Sequence, residues 1–121
     1  MKRVRSRRTV AKGRGYERLA EKFLVDSGYS IIEKNWQAGH KEIDLIARKD
    51  KTVVFVEVKG AMSNEFGHPS ERVDQRKRAN LIEAAEKYIM TNDLQDCDFR
   101  FDLITFFDGQ LEYYPNAFQR E

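Results

Sequence analysis

A strand packed on both faces has no room for unpaired charge. Yet the stretch EIDLIARKDKTVVFVEVKG (42–60), which otherwise reads as two apolar strands and a tight turn, carries Glu42, Asp44, Glu57 and Lys59. Residues two apart in a strand share a face, so Val54, Val56 and Val58 point one way while Val53, Phe55, Glu57 and Lys59 point the other. Both faces begin apolar, which predicts a central strand covered on each side. Glu57 and Lys59 then sit at its far end, where the cover gives way to a cleft. Buried charge without a partner is costly, so the pair either neutralises itself or faces something bound.

The preceding strand narrows the choice. Glu42 and Asp44 share a face with Ile46, opposite Ile43, Leu45 and Ala47. A turn centred on 49–51 sets Asp44 opposite Phe55 or Glu57, and any even-length loop without a bulge puts Asp44 and Glu57 on one face. Facing or diagonal side chains approach within about 5–8 Å, so two carboxylates there repel unless a cation lies between them. Oxygen ligands of this kind suit Mg²⁺ or Mn²⁺, with waters and a substrate phosphate completing the octahedron. Lys59 falls one step further on, where an ammonium would orient or acidify an attacking water, or offset charge developing on the phosphate. Asp44, Glu57 and Lys59 thus form a catalytic kit for metal-assisted phosphodiester hydrolysis. The structural alternative is a cross-strand salt bridge of Asp44 or Glu57 with Lys59.

The elements that must position these residues follow from periodicity and punctuation. Tyr16, Leu19, Ala20, Phe23 and Leu24 recur at helical spacing before Gly28, predicting a helix over 15–27. A strand at 29–37 leads through Ala38-Gly39-His40 into the strands at 42–48 and 52–59. A polar loop (60–69) precedes a long helix over 70–90, with Ser70 as N-cap. A strand at 98–108 turns at Asp108-Gly109, a hairpin signal, and returns through 111–114. The order α-β-β-β-α-β-β, with helices bracketing the strands, predicts one α/β domain: a three-layer sandwich whose central mixed sheet is flanked by helices.

Charge divides the 121 residues unequally. Net charge is +2, but residues 1–16 hold seven basic residues and no acid, leaving fifteen basic against twenty acidic residues in the remainder. The chain therefore reads as a flexible basic arm (1–14), with Arg3, Arg5, Arg7 and Arg8 as phosphate contacts, on a mildly acidic body (15–121). Cys97 stands alone, which excludes an internal disulfide and a cysteine-built zinc site and suits a reducing cytoplasm. No apolar run reaches the roughly 20 residues that span a bilayer.

The long helix carries a second basic feature. Leu81, Ile82, Ala85, Tyr88 and Ile89 share one face, and extended N-terminally that face presents Asp74, Lys77 and Arg78, with Gln75 at its edge. A core stripe that turns basic overhangs a cleft, where these residues would contact phosphate and set position rather than read sequence. The alternative is a helix that projects past the sheet. His40 and His68 fall in loops and Trp36 reads as packing; Arg100 and Asp102 alternate on one face as structural support near the site.

These residues carry a family likeness. Gly15-x-Glu17 at the first helix, EIDLIA, FVEVK, a helix with a lysine and then RFD (100–102) resemble the YraN-like family of small bacterial proteins over roughly residues 13–118. The resemblance implies a restriction-endonuclease-like fold of the PD-(D/E)xK superfamily, which includes Holliday-junction resolvases. It implies Asp44, Glu57 and Lys59 as the motif residues and adds Glu17, which on its helix sits at the border of the apolar stripe, to the metal site. The family usually has Gly where this chain has Lys41, and Arg where it has Ala61. The expectation is a Mg²⁺-dependent endonuclease acting on DNA, with branched or structured forms among its substrates and a homodimer required for symmetric cutting of two strands. Its rivals are a non-catalytic nucleic-acid-binding module on the same fold and a protein-interaction scaffold whose ion pairs are purely structural.

Overall fold

A computed structural model describes residues 5–7, 14–61 and 75–119. Its elements are β1 (Arg5–Arg7), α1 (Arg14–Asp26), β2 (Ser30–Ala38), β3 (Lys41–Lys49), β4 (Thr52–Ala61), α2 (Gln75–Thr91), β5 (Asp98–Phe107) and β6 (Gln110–Phe118). The strands form one sheet in the order β1-β6-β5-β4-β3-β2. Among the described residues only β4 and β5 pair in parallel, with α2 in the crossover between them, so the sheet is mixed.

The two faces are covered by different helices. Ala20 and Leu24 of α1 pack on Leu45, Ala47, Val54, Val56, Ile104 and Phe106. On the other face Leu81, Ala84, Ala85, Tyr88 and Ile89 of α2 pack on Ile43, Ile46, Val53, Phe55 and Leu103. The alternation of β4 is thereby accounted for: its even residues face α1, its odd ones α2, and helix–sheet–helix layering follows. Gly28 ends α1 with φ 97°, while the N–H of Gly28 bonds to Val25 and that of Tyr29 to Leu24. This is the left-handed cap for which glycine has no steric penalty.

Three features depart from the sequence reading. The alternation of β3 fails at Asp44, because Ile43 lies with Ile46 on the α2 side while Leu45 faces α1. Asn35, the residue of β2 across from Asp44 in that register, has φ 50°. Trp36 packs on the same face as Ile43 and meets Tyr88 edge-on at 5.2 Å. Strand β6 runs on to Phe118, past Pro115, because a register shift between Phe101 and Leu103 absorbs the proline; a bulge is where a strand tolerates one.

Finally, the arm is not free throughout. Arg5–Arg7 pair antiparallel with β6, although three polar residues give no strand pattern; the open backbone edge of β6 supplies the partner. Arg3, Arg8, His68, Ser70 and Asp74 lie outside the described residues. Among the described residues no helix is long and apolar enough to cross a membrane.

Candidate active site

The β3–β4 hairpin closes on a two-residue turn, Asp50-Lys51, with Lys49 opposite Thr52. The loop is even, and the ladder runs through Arg48–Val53, Ala47–Val54 and Ile46–Phe55 to Leu45–Val56. One step further would set Asp44 against Glu57, but the ladder stops. Instead the Asp44 carboxylate takes the backbone N–H of Val58 at 2.8 Å, in place of a main-chain carbonyl. The sheet opens between its two strands at the point where the acids meet.

Glu57 is 4% exposed and faces α2. Its Oε1 lies 3.5 Å from Lys59 Nζ on its own strand and 3.3 Å from Lys77 Nζ, reaching down from α2. Burial pushes the Asp44 carboxyl up, and the Glu57 charge pushes it further. The Val58 N–H pulls the other way, Glu17 and Glu42 add to the rise, and the result is about 7. A half-buried carboxyl raised in this way beside the buried Glu57 is an arrangement that a cation would relieve. The Lys77 ammonium is itself held above its ordinary value: burial lowers it, and the charge and hydrogen bond of Glu57 more than offset that.

Other expected site residues are distributed as follows. Glu17 lies near enough for its charge to act on Asp44, yet among the described residues no three of His, Cys, Asp and Glu form a metal-binding group. Asp44 and Glu57 alone fit a hard cation that keeps most of its waters, as Mg²⁺ does. Gln75 and Arg78 part company with Lys77: they line a cleft on another side of α2, where the Arg78 guanidinium lies 5.6 Å over the Phe118 ring. Arg100 and Asp102 do pair, with both Asp102 oxygens held by the guanidinium at 2.8 Å. They belong to the α1 face, however, with Tyr29 and Tyr113, so they support the sheet from the side opposite Glu57.

One contact was not legible in the sequence. Gly60 follows Lys59 on β4, and a Cβ there would overlap the Tyr16 ring, meeting Cζ at 2.6 Å. That ring also stacks on Phe106, with centroids 5.1 Å apart. Tyr16 thus seats the start of α1, and Glu17 with it, directly on the end of β4. A glycine at a strand end is a signal of close backbone approach, though it does not name the partner.

Comparison with known proteins adds a family. The family model described as uncharacterised protein family UPF0102 matches residues 16–106. A UPF0102 protein of Sulfurihydrogenibium sp. is 37% identical over 110 residues, covering 91% of this chain and 96% of that protein. Another, from Chloroherpeton thalassium, is 44% identical over 95 residues, covering 78% and 74%. One from Clostridium perfringens is 46% identical over 88 residues, covering 73% and 72%.

Proposed function

The chain belongs to the uncharacterised protein family UPF0102, and we propose that it is a Mg²⁺-dependent endonuclease that hydrolyses DNA phosphodiester bonds. The observation that carries the reading is the meeting of Asp44 and Glu57 where β3 and β4 part, with Lys59 beside them. The charge of Glu57 raises Asp44, so the repulsion between the two acids works against the fold. The resemblance to the YraN-like family implies the same three residues.

Asp44 and Glu57 would hold the cation, which supplies Lewis-acid polarisation of the scissile phosphate and a more acidic water. The chain's own residues do the remaining work. Asp44 is oriented by the Val58 N–H, so its free oxygen is directed and not free to rotate. Lys59, 28% exposed, is open to substrate while tied to Glu57, and its ammonium orients the attacking water or meets charge developing on phosphate. Lys77 leaves Glu57 for a phosphate oxygen when substrate supplies one, since both are anionic partners for the same ammonium.

A second reading has its own observation. Glu57 already meets two ammoniums through one oxygen, which is also what a non-catalytic module with an internally neutralised cluster would contain. Cleavage assays on mixed duplex, flap, single-stranded and four-way DNA, with Mg²⁺, Mn²⁺ or chelator, separate the two. Metal-dependent cutting lost in Asp44→Asn and Lys59→Ala supports the nuclease. Salt-sensitive binding without cutting, unchanged in both variants, supports the module.

A further inference from the structure

The ladders that cross the sheet align the arm with the site. Lys59 pairs with Thr105, Thr105 with Glu112, and Glu112 with Arg5. The next row runs Gly60, Phe106, Leu111, Ser6, and the next Ala61, Phe107, Gln110, Arg7. The three residues of β1 thus occupy the same three rows as residues 59–61, three strands away. At about 4.8 Å per strand the separation is roughly 14 Å.

From this we infer that β1 is a fixed phosphate-binding strand of the same nucleic-acid interface, and not a loose tether. The inference rests on the nuclease reading and deepens it by giving the interface a direction and a length. Each strand of duplex DNA presents one phosphate per 3.4 Å of axis. A basic residue at a register position roughly 14 Å from that of Lys59 would meet the backbone about four base pairs from the phosphate at the metal site. In the backbone register Arg5 is the partner of Glu112, which is 4% exposed and accepts from Thr105 Oγ1 at 3.4 Å and Tyr114 Oη at 3.2 Å. Two of the three residues of β1, Arg5 and Arg7, are basic and hold register positions at one end of the sheet, where contacts to phosphate would position the duplex without reading sequence.

The test staples the arm in place. Facing residues of an antiparallel pair lie about 4.5–5.5 Å apart at Cα, within disulfide range. Arg7→Cys with Gln110→Cys, in a Cys97→Ser background, should form the bond on oxidation. DNA affinity in the chelator-treated protein should then agree between oxidised and reduced forms within about threefold, a comparison in which charge is constant apart from the thiols. In parallel, Arg5→Gln with Arg7→Gln should weaken binding at least about fivefold and flatten the salt slope by up to about 0.9 per lost contact. Failure of the disulfide to form in folded protein, or a tenfold loss of affinity on oxidation, overturns the docked arm. So does unchanged binding by the double glutamine variant, which decides the matter alone if the stapled protein does not fold; in either case the nuclease reading stands. If the unaltered protein binds no DNA in a salt-sensitive manner, the nucleic-acid reading itself falls and this inference with it.

Discussion

Asp44 replaces a main-chain carbonyl as the acceptor of the Val58 N–H, one position beyond the last paired rung of β3 and β4. That single exchange accounts for several properties of the site at once. It comes where the ladder ends, holds the half-buried Asp44 carboxyl near Glu57, and directs one of its oxygens. The cost is electrostatic, and it makes the metal-free protein sensitive to pH in a definite direction.

The Asp44 carboxyl is raised from an ordinary 3.8 to about 7 in the folded state. The folded protein therefore holds this proton more tightly than the unfolded chain. Its contribution is fully present below about pH 4 and is lost as pH rises through about 7. The loss is on the order of 2–4 kcal/mol. Asp44→Asn keeps an oxygen for Val58 and removes the charge, so the metal-free variant should unfold at higher denaturant than the parent at pH 8, with the gap closing towards pH 4. Equal midpoints across that range would contradict the assigned electrostatics.

Gly60 is held to its identity by Tyr16. Gly60→Ala forces the ring wedged between β4 and Phe106 to move, and overpacking of this kind costs about 1–3 kcal/mol. Adding Tyr16→Ala opens the space that the new methyl needs. The double variant should lose less stability than the sum of the singles, as residues in contact do. Additive losses in chemical denaturation would mean that the two do not touch.

The network on the opposite face should behave as a structural lock. Asp102 is fully buried and held by Arg100, by the Tyr113 hydroxyl and by the Asn116 N–H at 2.9 Å. The Arg100 guanidinium is raised, first by its hydrogen bonds to Asp102, and the Tyr113 hydroxyl is raised, first by burial. Arg100→Ala strands a buried carboxylate and should destabilise by about 3–5 kcal/mol. Arg100→Lys should recover only part of this, having no fork to span both oxygens. Measured unfolding free energies within 1 kcal/mol of the parent would remove the lock.

Period-two patterning and turn chemistry made much of this fold legible. The valines of β4 alternate with residues facing the other helix, and Gly28 and Asp108-Gly109 stop one element and join two others, as their types require. The meeting of Asp44 with Glu57 followed from an even loop. What escaped reading depends on contacts distant in sequence. The break in alternation at Asp44 lies opposite the positive φ of Asn35 on a neighbouring strand, β1 borrows its structure from the edge of β6, and Gly60 answers to Tyr16. Lys77 and Arg78 looked alike as neighbours on one helix, yet about 100° of rotation sends one to Glu57 and the other to Phe118.

Calorimetric titration of Mn²⁺ or Mg²⁺ into the full chain, in buffers of different ionisation enthalpy, reaches the central claim most directly. The account predicts one saturable site that releases close to half a proton at pH 7, as the Asp44 carboxyl ionises. Affinity should fall as pH drops below 7, and Asp44→Asn and Glu57→Gln should each weaken binding at least about tenfold. The absence of saturable binding, or binding that survives Asp44→Asn with the same proton release, would contradict the site.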